Sequence, residues 1–454
     1  MNNRVPLTAK IGFGVGDLSF NLVWQGTSLF LLYFYTDVLG ISPTVAGAIY
    51  LAAMIWDAIT DPIIATFADR TRTSMGKYRP WLLFGAAPFA LSYPLAFSAP
   101  PSFIPVGIVV WALITHVILR TAYTIVSMPF NALQARLTND AQERTVLAGF
   151  RMVGAAFGAL SVAFLTPVIV ASFSDAREMD AYFIAACIVG FIAFVTIIYC
   201  FFAMREPQDS QIVETTDFFS DLKMVGPTFL KNPPLIRIFA AMVIGSVCLS
   251  MFGGSMLYYF KYHLGEPDLA AVGLVLQAAM VIFFVPIWVW VAGKTSKRTS
   301  FVIGLFIALA GYLGFFFNFD DDFILAIVAI GLTGIGMSAF AVMFWAMLPD
   351  TIEYGEAMTG VRAEAKTFGF ATFAQKAAVG INAVLLGVLL DLSNFVPNET
   401  QSVSTLLGMK AIMALVPALG VILILLVLRN YRLDHRQHAE MVARIAKTKL
   451  AKGQ

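Results

Sequence analysis

Asp57 and Asp61 stand four residues apart in Ile55-Trp56-Asp57-Ala58-Ile59-Thr60-Asp61-Pro62, inside a run that otherwise reads as membrane-spanning. On a helix that spacing stacks both carboxylates on one face. An ionised carboxylate at the bilayer centre costs roughly 2.5–3.5 kcal/mol on insertion scales, so two on one face predict a cavity and a cation that meets them there. The alternative is a partly hydrated pair that salt-bridges another helix. Oxygen ligands suit Na⁺ or Li⁺, and a carboxylate can instead carry a proton. Asp57, Thr60, Asp61 and Thr124 offer such a donor set, with Na⁺ placed at Asp57 and Asp61 if the ion is a metal.

Four further charges sit in apolar surroundings: Asp17, Arg120, Arg151 and Lys376. With Asp57 and Asp61 they make three acids and three bases, which could neutralise one another if their helices converge on one cavity. Arg120, Thr124, Ser127 and Asn131 are spaced i, i+4, i+7, i+11, one continuous polar helical face that His116 extends by a turn. That face lines a cavity or forms a hydrogen-bonded seam between helices. Arg151 and Lys376 are donors only, suited to sugar hydroxyls or an anionic group. His116 by itself reads more naturally as a satisfied seam residue than as a proton carrier.

The elements that must position these groups follow from composition. The 454 residues are 59% hydrophobic and 13% charged, against ~25% charged in soluble domains. Runs of the ~20 apolar residues a span requires occur at 10–36, 43–68, 81–98, 103–135, 145–173, 180–204, 235–262, 269–293, 299–318, 323–349, 366–391 and 404–429. The expected fold is an all-α polytopic membrane protein with twelve transmembrane helices. If both termini are cytoplasmic, 24 of the 30 Lys and Arg fall on inside segments and three (Arg177, Lys261 and Lys410) outside, the bias that sets topology. The first apolar run is too long for a signal-peptide core and reads as a retained span. The segment 205–234 divides residues 1–204 from 235–429, giving two pseudo-symmetric six-helix bundles joined by a cytoplasmic loop, with a basic cytoplasmic tail over 430–454. Two six-helix halves are the plan of major facilitator transporters.

Several chemistries are excluded. Cys187, Cys200 and Cys248 lie in apolar runs without metal-ligand spacing. There is no Ser-His-Asp, HExxH, CxxC or GxxxxGK[ST] pattern, and no basic patch with interleaved aromatics for nucleic acid. Gly12, Gly14 and Gly16 read as close helix packing rather than a phosphate cradle. No catalytic residue and no cofactor beyond the coupling ion is expected.

The stretches GFGVGD (12–17), YFYTDVLG (33–40), IWDAITDP (55–62), RTSMGKYRPW (72–81), YTIVSMPFNAL (123–133), ERTVLAGFR (143–151) and DTIEYGEAMTGVRAEA (350–365), with the Lys376 region, span nearly the whole chain. In them the chain resembles the glycoside–pentoside–hexuronide:cation symporters of the major facilitator superfamily. The resemblance implies cation binding at Asp57, Thr60, Asp61 and Thr124. It implies substrate binding at Asp17, Arg151 and Lys376. It also implies a cytoplasmic lock at Arg144, Asp350, Glu353 and Arg362. Two departures stand out. Melibiose permease, the family's best-known member, has an aspartate and a stacking tryptophan where this chain has Ser127 and Asn131, and a glycine where it has Arg120. One negative charge is lost and one positive charge gained on the same face, which predicts an anionic substrate, a hexuronide or sulfonated sugar, met by Arg120, Ser127 and Asn131. The competing expectation pairs Arg120 with Asp57 or Asp61 and leaves H⁺ coupling.

The expected function is cation-coupled (Na⁺ or H⁺) symport of a sugar or glycoside by alternating access across the plasma membrane, by resemblance the bacterial inner membrane. The partners are a small-molecule substrate, the coupling cation and membrane lipids, and the fold works as a monomer. A lysophospholipid:cation symporter of the same fold is the second reading. A non-transporting sensor or an intramembrane enzyme is the alternative of a different class.

Overall fold

The computed structural model describes residues 5–102, 107–138, 141–173, 177–205, 232–318, 322–359 and 364–431. Twelve α-helices occur among them. They are α1 (Leu7–Tyr33), α2 (Pro43–Arg70), α3 (Arg79–Ala96), α4 (Ile108–Leu137), α5 (Ala141–Ser172) and α6 (Glu178–Ala203), then α7 (Pro233–Tyr258), α8 (Ala270–Lys294), α9 (Lys297–Phe316), α10 (Phe323–Thr359), α11 (Glu364–Leu392) and α12 (Val403–Arg429). Ten are long and apolar enough to cross a membrane. The other two are α1, which carries Lys10, Asp17, Asn21 and Gln25, and the 18-residue α3.

The chain forms two compact units. The first holds Met1–Thr215 with Met256–Val275 and Ala383–Leu406. The second holds Thr216–Ser255, Leu276–Asn382 and Leu407–Gln454.

In the first unit α1 packs on α5 and α6, α3 on α4 and α6, and α2 on α4. The α1–α5 contact is a glycine seam. A Cβ on Gly154 would strike the Gly14 carbonyl, one on Gly14 the Phe150 carbonyl at 2.7 Å, and one on Gly158 the Leu18 carbonyl at 2.5 Å. Only glycine lets the two backbones meet this closely, the small-residue packing by which membrane helices associate.

Helix α2 shows why the aspartates sit where they do. Ile55, Ile59, Ile63 and Phe67 are exposed at intervals of four and form an apolar stripe for lipid, whereas Tyr50, Ala53, Met54, Asp57 and Thr60 are buried. With 3.6 residues per turn the buried face is the polar one, and Asp57 has no exposed surface. Pro62 removes the amide that would bond the Ala58 carbonyl, loosening the helix just past the aspartates.

Both α1 and α7 end in a π turn, Phe34–Val38 and Tyr259–His263, where the following amides reach back five residues (Leu39 to Phe34 and Leu264 to Tyr259). Each turn is followed by a left-handed glycine, Gly40 at φ +69° and Gly265 at φ +73°.

In the second unit α9 packs on α10, with a Cβ on Gly304 blocked by Ala339 and one on Gly336 by the backbone of Gly304 and Ala308. Trp288 on α8 donates to the Ile335 carbonyl and to Ser338 Oγ. Helix α10 runs ten residues past the expected end at 349, because Pro349 is accommodated within the helix and the polar run from Asp350 continues it. Lys410 corrects the expectation of an outer-loop lysine. It lies inside α12, is 2% exposed, and its ammonium donates to the Asn318 carbonyl. Its long stem is buried while the head finds a carbonyl at the end of a neighbouring helix.

Candidate functional site

The two aspartates of α2 converge on one hydroxyl of α4. Thr124 Oγ1 lies 2.9 Å from Asp57 Oδ1 and 2.9 Å from Asp61 Oδ1. One turn earlier Trp56 Nε1 donates to Thr121 Oγ1 at 2.9 Å, so the two helices are pinned in register. A threonine hydroxyl has one proton and can donate to only one carboxylate. The second contact is satisfied when that carboxylate is itself protonated or when a cation shares the oxygens. Thr60 Oγ1 donates to the carbonyls of Trp56 and Asp57, which leaves its lone pairs for an ion. Two carboxylates and two hydroxyl oxygens suit a hard monovalent cation.

Arg120 lies one turn from Thr124 and is 2% exposed. Its Nε donates to His116 Nε2 at 3.3 Å and its Nη2 to the Tyr50 hydroxyl at 3.3 Å. Its guanidinium carbon sits 4.9 Å from the Trp24 ring centroid and 5.6 Å from that of Tyr50. Arg120 is thus held by an imidazole, a phenol and two ring faces, and these take its hydrogen bonds in place of the expected aspartates. Because His116 Nε2 accepts, the ring proton is on Nδ1, which has no partner among the described residues. This is the seam histidine the sequence suggested.

A second charged cluster joins α1 and α5. Arg151 Nε and Nη2 lie 3.0 and 2.9 Å from Asp17 Oδ1, and Nη1 donates to Gln134 Oε1 at 3.1 Å. The guanidinium also faces Phe13 and Phe130, which stack at 4.5 Å. Asn21 donates to Asp17 Oδ2 at 3.3 Å. Asp17 and Arg151 therefore neutralise each other. Ser127 Oγ is buried without a hydrogen-bond partner among the described residues, while Asn131 is exposed.

Asp57, Asp61 and Thr124 come together, as do Asp17 and Arg151. Lys376 is buried in α11 within the second unit. Asp350 pairs with Lys297 at 2.8 Å, and Glu353 is half-buried on the same helix. Arg362 lies outside the described residues, as does the side chain of Arg144. Sequence reasoning missed Trp24, Tyr50, Asn21 and Gln134. Two of these had a signal. Gln134 continues the α4 face three residues past Asn131, and Asn21 follows Asp17 by four.

The chain is similar along its whole length to known transport proteins. It is 32% identical over 446 residues to the uncharacterized symporter YnaJ of Bacillus subtilis, covering 97% of this chain and 94% of the relative. It is 30% identical to the isoprimeverose transporter of Lactiplantibacillus pentosus (95% and 90% covered) and 28% identical to the glucuronide carrier protein homolog of Escherichia coli (98% and 96% covered). Among solved structures, a bacterial homologue of the lysosomal transporter Spinster superposes with a TM-score of 0.70 at 13% identity, covering 96% of this chain and 98% of that one. The nucleoside transporter NupG superposes with 0.66 at 14% identity, covering 95% and 100%. At this identity the two structures establish the fold alone. With residues 12–435 matching the family described as MFS/sugar transport protein, the chain is a multi-pass membrane transporter and belongs to that family.

Proposed function

We propose that the protein is a secondary active symporter that couples Na⁺ or H⁺ entry to uptake of a sugar or glycoside across the bacterial inner membrane. The observation that carries this is the Thr124 hydroxyl shared by Asp57 and Asp61 at 2.9 Å each. Two carboxylates with one shared proton donor want one further positive charge, and a site whose charge is completed by an ion is what coupling requires. The residues that would hold the ion are Asp57, Asp61, Thr124 and Thr60. Asp17 and Arg151, with Lys376, bind the substrate. In the absence of substrate the first two satisfy each other, so a sugar that inserts its hydroxyls replaces a pair already formed.

The charge-alternating loops support cytoplasmic termini and two six-helix halves that rock about a central site. The matching π turns and left-handed glycines that end α1 and α7, 225 residues apart, are what a duplicated half would leave. Among relatives, the names cover both neutral and acidic sugars, isoprimeverose and glucuronide. Arg120, held by neutral groups and ring faces, favours the acidic class here.

Uptake of labelled neutral and acidic glycosides into right-side-out vesicles tests this, under an imposed Na⁺ or proton gradient. Asp61→Asn should abolish ion-driven accumulation. Accumulation that persists in this variant with unchanged ion dependence refutes the coupling assignment, and preference for neutral glycosides refutes the acidic one.

A further inference from the structure

Asp37 closes the π turn that ends α1, and its side chain is fully buried. Its Oδ1 accepts from Lys261 Nζ at 3.2 Å and from the Tyr262 hydroxyl, and its Oδ2 accepts from Thr36 Oγ1 at 2.8 Å. Its carbonyl accepts from Asn398 Nδ2 at 2.6 Å. Asn398, held in the left-handed region at φ +59°, turns back on the same group. Its amide donates to the Tyr262 hydroxyl at 2.8 Å, and its Oδ1 accepts from Lys261 Nζ at 2.9 Å. Lys261 also lies over the rings of Tyr33 and Tyr262. The result is a ring of four residues from three stretches: the end of α1, the π turn after α7 and the α11–α12 connection. Beside it the backbones touch. A Cβ on Gly47 would meet the Ala383 carbonyl, and one on Gly387 the Pro43 carbonyl. All of these residues belong to the first unit.

We infer that the Asp37–Lys261–Tyr262–Asn398 ring is a lock that shuts the substrate pathway at its outer end and that has to break once per transport cycle. The inference rests on the transporter reading and its orientation, which place the ends of α1, α7 and α11 outside. For substrate to enter from outside, the helices of residues 1–204 and 235–429 part there. The bonds from Lys261, Tyr262 and Asn398 to Asp37 join one range to the other, so they cannot survive opening. The chemistry also makes the lock two-state. Closed, the Asp37 carboxylate is dry but fully supplied with donors. Open, it is hydrated. Part-way, it has lost Lys261 without gaining water, the arrangement a buried charge tolerates least. Such an element switches between two packings rather than deforming continuously.

The test places spin labels at Ser102 and Val403, both exposed, with the exposed Cys187 replaced by serine, and reads their separation in detergent and in nanodiscs. Lys261→Gln and Asp37→Asn should shift the ratio of long to short separations by roughly 10- to 100-fold toward the long, the scale expected when one partner of a buried charge pair is removed. Lys261→Arg, which keeps the charge, should retain the short separation. Asn398→Ala, which leaves both charges in place, should give a smaller shift in the same direction and guards against loss of folding in the charge variants. An unchanged distribution in folded Lys261→Gln and Asn398→Ala overturns the lock, even if uptake is lost. Lengthened separations in a protein that accumulates no sugar keep the lock and overturn the transport reading instead.

Discussion

Thr124→Val isolates the shared hydroxyl, because valine matches threonine in shape and lacks only the oxygen. In the wild type Thr124 Oγ1 is 2.9 Å from each aspartate and the residue has no exposed surface. A hydrogen bond to a charged group contributes about 1.5–3 kcal/mol, and the single proton can supply one such bond at a time. The variant also removes one candidate ligand oxygen and lets the two carboxylates face each other without a bridge. Taking the lower half of that range as the part that differs between ion-bound and ion-free protein, the coupling ion should bind about 10-fold more weakly, at 1.4 kcal/mol per decade. The assay is the initial rate of sugar uptake into vesicles against Na⁺ at fixed pH, and against pH at fixed Na⁺. The axis along which half-activation moves identifies the ion. Thr124→Ser, which keeps the hydroxyl, should stay within about threefold of wild type. A folded Thr124→Val protein with wild-type half-activation on both axes would show that the hydroxyl has no part in coupling.

Arg120→Lys loses the planar stack on Trp24 and the fork that reaches His116 and Tyr50. It should lower thermal stability by about 1–2 kcal/mol and reduce uptake of acidic glycosides more than neutral ones, measured on the same vesicles. Gly154→Ala drives a methyl into the Gly14 carbonyl and should cost about 2–4 kcal/mol, visible as loss of monodisperse protein on size exclusion. Gly149→Ala on the same helix, where a Cβ meets open space, should be neutral or stabilise by up to ~1 kcal/mol. Lys297→Ala breaks a partly exposed pair with Asp350, so its effect on the unfolding midpoint should correspond to no more than ~1 kcal/mol.

The helix inventory was legible because a bilayer demands one continuous apolar run per crossing, and such runs survive without any tertiary information. The register of the site was legible for a related reason. Asp57 and Asp61 share a face by arithmetic, and so do Arg120, Thr124, Ser127 and Asn131. The partner of Arg120 was not legible. Its guanidinium lies within one turn of both the aspartates and His116, and helical spacing cannot say which way a long flexible side chain turns. Trp24 and Tyr50 decide it, and aromatic residues in apolar helices give no sign of being cation platforms. The Asp37 ring was hidden for a different reason. Asp37, Lys261 and Asn398 come from segments hundreds of residues apart, and each looks like an ordinary polar residue at the end of a span. Lys410 shows the opposite error, since a lysine near a helix end reads as a loop residue although its ammonium is buried on a carbonyl.

The two π turns restrict how the chain tolerates a change in length. Each accommodates one residue more than an α-helical turn would, and the left-handed glycine that follows is set by that surplus. Deleting a single residue between Phe34 and Val38 would let the turn relax to ordinary α-helix, and everything beyond would rotate by about 100°, the step of a 3.6-residue turn. Pro43 and the whole of α2 hang from that point, so the Asp57 and Asp61 face would swing out of line with α4. Substitutions in these turns can therefore be absorbed, whereas one-codon losses there should be among the least tolerated changes in the gene.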